Sequence, residues 1–152
     1  MKKTILITGT SSGIGKETAL YFAKNNWIVI ATMISIDLAD DLTTTPNVFC
    51  YELDVTSTES ITKAKNMILN QHKTIDVVLN NAGLGYRSFV ELSEDSKIDN
   101  IVNVNWLGAV KVCRAFIPVF REQNFGQFIT ISSIAGLVNL PLGSFYHSTK
   151  QA

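Results

Sequence analysis

An α/β fold with a parallel sheet is predicted from two features of the chain. Short apolar segments with continuous hydrophobicity recur along the sequence, and amphipathic helical segments separate them. Strands of this kind are typical of parallel sheets whose two faces are covered by helices. A length of 152 residues and a hydrophobic content of 46% suit one domain. No repeat, low-complexity segment or linker interrupts the alternation, so we expect a single unit.

The elements follow one another in a regular order. Five strands are predicted, at residues 4–8, 27–32, 48–53, 75–81 and 126–132. Apolar residues at helical intervals predict three helices between them, at residues 14–26, 56–72 and 92–120. The stretch between the second and third strands is polar, with one helical turn expected at residues 38–42. Its acidic residues Asp37, Asp40 and Asp41 are expected to form a solvated loop.

Several helix ends carry recognisable signals. Thr56 and Glu59 have the spacing of a capping box at the start of the second helix. Ser93 is the expected cap of the long third helix, and Pro118 is expected to disturb its far end.

Composition excludes several classes of function. The 13 lysines and arginines balance the 13 aspartates and glutamates, so no basic field is available for nucleic acid or an anionic membrane. Cys50 and Cys113 lie in apolar stretches and are interpreted as core residues, and no metal site is expected. No segment approaches the length of a membrane span, and a cytoplasmic location is expected.

The first strand runs into the glycine-rich sequence TGTSSGIG, with Gly9, Gly13 and Gly15. Glycine allows a sharp turn and close approach of a ligand, and the N-terminus of the following helix suits a pyrophosphate. The spacing G-x-x-x-G-x-G differs from the commoner dinucleotide pattern G-x-G-x-x-G. A glycine-rich turn without a ligand therefore stays open as the alternative.

Polar residues stand at the carboxyl ends of three further strands. Asp54 ends the third strand, Asn81 ends the fourth and Ser133 follows the fifth. Each has an ordinary interpretation, as a helix cap, a turn residue or a strand-end hydroxyl. Ligands of open α/β sheets bind outside the carboxyl ends of the strands. The shared location of the three residues therefore indicates a ligand site.

Tyr146 and Lys150 have the i, i+4 spacing that places two side chains on one helical face. A free tyrosine hydroxyl is a poor base at neutral pH, and a neighbouring ammonium favours the phenolate. The pair is suited to proton transfer. His147, which lies between them in sequence, is expected on the surface.

Taken together, these motifs resemble the short-chain dehydrogenase/reductase family. The matching segments are TGTSSGIG at 8–15, LDV at 53–55, NNAG at 80–83, Asn105 in VNVN, Ser133 in ISSIAG, and YHSTK at 146–150. They occur in the family's order along the whole chain, with Ser133 thirteen residues before Tyr146.

The resemblance implies a Rossmann-type, doubly wound parallel sheet in the strand order 3-2-1-4-5, with residues 1–152 as an NAD(P)-binding domain. It implies a nicotinamide cofactor, a small alcohol or carbonyl substrate and interconversion of the two by hydride transfer. The implied catalytic residues are Asn105, Ser133, Tyr146 and Lys150. The implied cofactor-binding residues are Gly9, Ser11, Ser12, Gly13, Ile14, Gly15, Asp54, Val55, Asn81, Ala82, Gly83, Tyr146 and Lys150.

Each implied catalytic residue has a role. Tyr146 exchanges a proton with the substrate oxygen, while Lys150 supplies positive charge and holds the ribose of the cofactor. Ser133 donates a hydrogen bond to the substrate oxygen as charge builds on it. Asn105 binds a water that links Lys150 to solvent, unless it is merely a polar position on its helix.

The choice between NAD and NADP depends on the residues after the second strand. An acidic residue there binds the ribose 2′-hydroxyl of NAD, whereas a nearby arginine accommodates the 2′-phosphate of NADP. Met33 and Ile34 occupy these positions and are neither. Lys16, beside the glycine loop, is available to a phosphate. The sequence therefore favours NADP slightly.

Family members continue well past the lysine of the tyrosine motif. We therefore expect this chain to be a fragment that lacks the last strands and the substrate loop, and to be inactive alone. The full-length form is expected to be a homo-oligomer. The alternative is a non-catalytic protein that kept the nucleotide-binding portion for binding or interaction.

Overall fold

The computed structural model describes residues 2–152, which form one sheet of five parallel strands with helices on both faces. The strands are β1 (Thr4–Thr8), β2 (Ile28–Met33), β3 (Val48–Glu52), β4 (Val77–Asn80) and β5 (Gln127–Thr130). Their spatial order is β3-β2-β1-β4-β5, which confirms the predicted topology. In the centre of the sheet, Leu6 of β1 lies between Ile30 of β2 and Val78 of β4.

Helical segments connect the strands. The α-helices are α1 (Gly13–Lys24), α2 (Thr58–Gln71), α3 (Asp95–Val102), α4 (Ala109–Gln123) and α5 (Ser144–Gln151). Short 3₁₀ turns lie at Ile36–Leu38, Asp40–Thr44, Val90–Leu92 and Ile134–Gly136. Within residues 2–152, no helix combines the length and the apolar character that crossing a bilayer requires.

The hydrophobic core has two layers, one on each face of the sheet. Leu6 and Phe116 belong to the layer that α2 and α4 cover. Ile7 and Ala19 belong to the layer that α1 covers. The strands β1 and β4 are buried along their whole length, as continuous apolar segments predict for the middle of a parallel sheet.

The predicted helix over residues 92–120 is interrupted in the structure, but not by its proline. Pro118 lies inside α4, which continues to Gln123. The buried residues Phe116 and Phe120 flank Pro118 and anchor the helix in the core on both sides of it. Tertiary packing therefore outweighs the local cost of the missing N–H group.

The interruption is a π-helical segment, Asn103–Gly108, between α3 and α4. At the end of this segment, Gly108 lies against Val55, which is in the turn after β3. A Cβ on Gly108 would lie only 2.8 Å from Val55 Cγ2, so this close approach requires glycine. Single π-helical turns are rare in proteins, and a large share of those that occur lie at functional sites. This one carries Asn105, whose side chain is buried.

The predicted helix caps are wrong by one residue. Ser57 caps α2, and its Oγ accepts a backbone N–H of the first turn at 3.1 Å. Thr56 does not cap, because its hydroxyl donates to Asp54 Oδ1 at 2.8 Å. Glu94 precedes α3 in the place predicted for Ser93, because the Ser93 hydroxyl donates to a carbonyl of the preceding short turn.

Candidate active site

A cavity of about 970 Å³ opens at the carboxyl edge of the sheet, where the strand order reverses between β1 and β4. All thirteen residues predicted to bind a cofactor line this cavity, and Ser133 lines it as well. Asn105 does not line the cavity but contacts Leu84, which does. The structure thus brings distant sequence motifs to one place.

The three predicted glycines do different things in the loop between β1 and α1. A Cβ on Gly9 would lie 2.8 Å from the backbone of Ala82, and a Cβ on Gly15 would overlap the carbonyl oxygen of Gly9. Gly13 has a φ of +56°, and no atom lies within 4 Å of the position of its absent Cβ. Gly9 and Gly15 therefore let the chain pack on itself, while Gly13 leaves the cavity open.

The N-terminus of α1 is free to bind an anion. The side chain of its N-cap residue Ser12 accepts no hydrogen bond from the helix, and no acidic residue lies in the first turn. Ile14 and Gly15 of that turn line the cavity. Unpaired N–H groups and the positive end of the helix dipole suit a phosphate or pyrophosphate here.

Asn81 ties the end of β4 to the glycine loop. Its Nδ2 donates to the carbonyl oxygens of Thr8 and Gly9, at 2.9 Å in each case. The backbone N–H groups of Asn81 and Ala82 both donate to Thr8 Oγ1 at 3.0 Å. Sequence reasoning did not single out Thr8, yet these contacts make it the joint between the two strand ends.

The far end of the cavity lies beyond β2 and β3. Asp54 lines it, and its Oδ1 accepts the N–H and the hydroxyl of Thr56, both at 2.8 Å. Asp54 therefore lies at the cavity wall and closes a turn with Thr56, and its alternative interpretation as a helix cap is wrong, because Ser57 caps α2. Met33, Ile34 and Leu38 complete an apolar wall at this end.

Lys16 lies in the first helical turns of α1 and is paired with the acidic segment after β2. Its Nζ lies 2.8 Å from Asp41 and 3.4 Å from Asp40. The hydrogen bond to Asp41 raises the pKa of Lys16, and the same bond lowers the pKa of Asp41. The two aspartates are therefore more than a solvated loop, because they hold a cation beside the glycine loop.

Tyr146 and Lys150 share one face of α5, as their spacing predicts, and both are half-buried. The Lys150 Nζ lies 5.9 Å from the centre of the Tyr146 ring and donates to the carbonyl of Ile131 at 2.9 Å. Ser132 Oγ donates to the Lys150 carbonyl at 3.2 Å. These bonds fix the helix against the end of β5.

Ser133 follows β5 and begins a short 3₁₀ turn. Its Oγ accepts the N–H of Ala135 at 3.2 Å. Within residues 2–152 its hydroxyl proton is given to no protein acceptor. The hydroxyl is therefore available to donate to a group in the cavity.

Asn105 is 7% exposed and joins three parts of the molecule. Its Oδ1 accepts the Leu84 N–H at 2.7 Å, and its Nδ2 donates to the Leu84 carbonyl at 2.9 Å. The same Nδ2 donates to Thr149 Oγ1 of α5 at 3.1 Å. A Cβ on Gly83 would lie 3.4 Å from Asn105 Oδ1 and 3.7 Å from Lys150 Nζ, so Gly83 keeps the space beside both atoms clear.

Several residues of the cavity wall were not among the predicted site residues. They come from α3, the π-helical segment, the loop after β4 and the end of β5: Asn100, Val104, Leu84, Gly85 and Ile131. Asn100 and Val104 are four residues apart on continuous helical backbone, which is the one signal that places them on a shared face. The others belong to no motif and are positioned only by the folded chain.

Comparison with known proteins gives this architecture a family. A family model described as short chain dehydrogenase matches residues 3–152. The chain belongs to the short-chain dehydrogenase family.

Individual relatives share about a third of the aligned residues with the chain. It is 35% identical over 148 residues to a 3-ketodihydrosphingosine reductase of Bacteroides thetaiotaomicron, covering 97% of this chain and 53% of the relative. It is 37% identical over 159 residues to an NADP-dependent 3-hydroxy acid dehydrogenase of Schizosaccharomyces pombe, covering 99% of this chain and 61% of the relative.

Solved structures agree with the fold. ElxO with NADP bound has a TM-score of 0.93 and 32% identity, with 100% of this chain and 64% of that chain covered. The chain spans about half the length of the first curated relative and less than two thirds of ElxO.

Proposed function

We propose that the chain contributes the cofactor site and the proton-transfer residues of an NADP-dependent oxidoreductase that interconverts an alcohol and a carbonyl compound. The observation that carries this proposal is one cavity that joins a free helix N-terminus to Ser133, Tyr146 and Lys150. A binding site for phosphates and a proton-transfer site adjoin there, as hydride transfer from a dinucleotide requires.

The residues present fit a nicotinamide dinucleotide. The opening beside Gly13 and the uncapped N-terminus of α1 would hold the pyrophosphate. Asp54 and Val55 would flank the adenine, and the NNAG segment at 80–83 would line the ribose site. Once bound, the nicotinamide donates or accepts the hydride.

Tyr146 would move the proton. Hydride addition to a carbonyl carbon leaves an alkoxide, which takes the proton of the Tyr146 hydroxyl, and the reverse reaction returns it. Lys150 lies on the same helical face and supplies a positive charge that favours the phenolate left behind. Ser133 would donate its free hydroxyl proton in a hydrogen bond to the substrate oxygen.

Asn105 would act through a water bound to Lys150. Both hydrogens of Nδ2 are used, but Oδ1 accepts one bond and retains a second lone pair. The clear space beside Gly83 adjoins both Oδ1 and Lys150 Nζ. We propose that a water there receives a hydrogen bond from Lys150 and connects it to solvent.

The preference for NADP rests on charge at the far end of the cavity. Met33 and Ile34 stand where a carboxylate would bind the ribose 2′-hydroxyl of NAD, and neither carries one. Lys16 places a cation beside the glycine loop. The names of the Schizosaccharomyces pombe relative and of the ElxO structure both state NADP, which agrees with this charge distribution.

Titration of the purified chain tests the proposal. NADPH and NADH are added separately while cofactor fluorescence is followed. Oxidation of the bound cofactor by a panel of ketones and aldehydes is then measured in the chain extended with the C-terminal part of a relative such as ElxO. We expect NADPH to bind at least about tenfold more tightly than NADH. In Tyr146→Phe we expect unchanged NADPH affinity and a rate lower by about a hundredfold or more. No binding of either cofactor would refute the proposal.

A second candidate is a nucleotide-binding protein without turnover. Three of the four residues of β5 are exposed, and Leu137 in the following segment is 87% exposed. The part of the site that would hold the substrate is thus less enclosed than the part that would hold the cofactor. The assay of the extended chain separates the candidates, because this one predicts NADPH binding with no oxidation by any carbonyl compound even after the extension.

A further inference from the structure

His147 is a buried residue, so its predicted surface position is wrong. Its side chain is 7% exposed, although it lies between two residues of α5 that line the cavity. Its Nδ1 accepts the backbone N–H of Leu140 at 3.3 Å. A backbone amide can only donate, so Nδ1 carries no proton and the proton of the neutral ring is on Nε2.

Leu140 belongs to a segment, residues 137–143, that has little apolar burial. Its apolar side chains are exposed, from 41% at Leu142 to 87% at Leu137. Within the described residues, three hydrogen bonds connect it to other parts of the molecule, apart from bonds to the backbone of the helical turns at its two ends and one internal bond from the Gly143 N–H to the Leu140 carbonyl. The first is the bond from the Leu140 N–H to His147.

The other two bonds reach α5 and the loop after β4. Asn139 Oδ1 accepts Gln151 Nε2 at 2.9 Å, and the Leu142 carbonyl accepts the Ser88 N–H at 2.9 Å. Two of the three bonds therefore involve side chains of α5, so the position of the segment depends on that helix.

The segment also packs against the opposite edge of the His147 ring, which carries Nε2 and Cε1. Gly143 ends the segment, and a Cβ on it would lie 2.6 Å from His147 Nε2 and 2.8 Å from Cε1. The φ of Gly143 is −102°, a value that any residue adopts. The glycine is therefore required by the imidazole ring and not by the backbone conformation.

The segment is connected to the cavity wall through the loop after β4. Its partner Ser88 belongs to the loop after β4, and Leu84 and Gly85 of that loop line the cavity. The rings of Tyr86 and Phe145 pack 6.2 Å apart and connect the same loop to α5. The loop and the helix of Tyr146 thus form adjoining parts of the cavity wall, and the segment connects them from behind.

We infer that His147 is a positioning residue: its Nδ1 holds residues 137–143 against α5 and thereby sets the wall of the substrate site beside Tyr146. The role at a substrate site rests on the proposed function, whereas the hydrogen bond between His147 and the segment can be tested independently of it. The imidazole makes the contact in its neutral form with the proton on Nε2, so a side chain that lacks an acceptor at the Nδ1 position loses the contact.

Hydrogen–deuterium exchange of the 152-residue chain at constant pH tests the inference. His147→Leu removes the acceptor and keeps an apolar side chain, and we expect the Leu140 amide to exchange about fivefold faster. His147→Asn places Oδ1 near the position of Nδ1 and should restore protection. Gly143→Ala should also speed exchange of the Leu140 amide, because the added methyl group displaces the His147 imidazole ring. Ser148→Ala is the matched control, because the exposed Ser148 hydroxyl bonds only within α5.

The outcomes separate hydrogen bonding from packing. Unchanged exchange of Leu140 in His147→Leu would overturn the inference, and so would equally fast exchange in the leucine and asparagine variants. If His147→Leu fails to fold, the ¹⁵N spectrum of the wild-type imidazole decides instead, because a proton on Nδ1 excludes the bond. In a turnover assay of the chain extended with the C-terminal part of a relative such as ElxO, we expect His147→Leu to raise the KM for the carbonyl compound and to leave the KM for NADPH unchanged. Loss of NADPH binding in the wild type would refute the proposed function and leave the exchange result intact.

Discussion

The two ends of the cavity are built in different ways. At the end that we propose binds the cofactor (the cofactor end), β1 is wholly buried and the glycine loop is shaped by backbone contacts, with Gly9 against Ala82 and Gly15 against Gly9. At the other end, which we propose is catalytic (the catalytic end), β5 is mostly exposed. There, single hydrogen bonds that involve Ser132, His147 and other side chains hold α5 and the segment at residues 137–143. Core packing defines the first end and is supplemented there by the hydrogen bonds of Asn81 and Thr8, whereas individual polar contacts beside an exposed strand define the second.

This difference predicts different responses to mutation. A buried backbone turn has no alternative arrangement of low energy, so a side chain added there blocks the site or disrupts the loop. A segment held by a few hydrogen bonds opens locally at a cost of about 0.5–1.5 kcal/mol for each bond lost. Changes at the cofactor end should therefore affect binding, and changes at the catalytic end should affect rate.

Gly13→Val should have the largest effect on binding. Its side chain would enter the open space beside the N-terminus of α1, and a β-branched residue disfavours the positive φ of +56° at this position. We expect loss of measurable NADPH binding in a fluorescence titration. Because no protein atom lies within 4 Å of the added Cβ, the variant should still fold, with a cost of about 1–3 kcal/mol from backbone strain.

Gly13→Ala is the graded control for this prediction. It carries the same kind of conformational strain but fills less of the cavity, so it should weaken NADPH binding without abolishing it. Wild-type affinity in Gly13→Val, with circular dichroism showing a folded chain, would show that the phosphates do not approach this loop.

Extension of the chain should have the next largest effect, and at the other end of the cavity. The comparison is between the 152 residues alone and a hybrid that continues with the C-terminal part of a relative such as ElxO. Additional structure against β5 would cover its exposed residues and fix α5 more firmly. A displacement of a catalytic group by about 1 Å costs on the order of a hundredfold in rate, so we expect the hybrid to oxidise NADPH faster by about that factor.

The extension should leave cofactor affinity nearly unchanged, because the cofactor end is already packed. Equal rates in the two chains would show that the catalytic end is complete in residues 1–152. A large gain in NADPH affinity would contradict the contrast between the two ends.

The sequence predicted which residues meet at the cofactor end of the cavity, and the reason is physical. The continuous apolar character of β1 and β4 reflects burial on both faces, and glycines at 9 and 15 reflect close backbone contacts that other residues prevent. Such constraints leave marks at single positions of the sequence. The strand order followed from the family resemblance and from the rule that ligands bind at the switch in strand order.

The catalytic end was predicted as residue types but not as contacts. The pair Tyr146 and Lys150 followed from helical spacing, yet nothing local indicated that His147 is buried. Its environment is formed by the bond to Leu140 and by the return of Gly143 toward the helix, both of which depend on the path of a loop. The π-helical segment that carries Asn105 was missed similarly, because its residues have no local pattern that distinguishes π from α geometry.

The smallest expected effect concerns the charge at the cofactor end and the choice of cofactor. Lys16 is held by Asp41 at 2.8 Å and Asp40 at 3.4 Å, and it must exchange these partners to bind a 2′-phosphate. Exposed ion pairs contribute little, so Lys16→Ala should weaken NADPH binding by only about threefold and leave NADH binding unchanged. Asp41→Asn, which removes the nearer of the two negative charges beside the lysine, should strengthen NADPH binding by a similar factor. Titrations of both cofactors at low and high salt measure these shifts, which should shrink as salt screens the charges. Equal weakening of NADPH and NADH in Lys16→Ala would show that Lys16 serves the pyrophosphate and plays no part in the choice between the two cofactors.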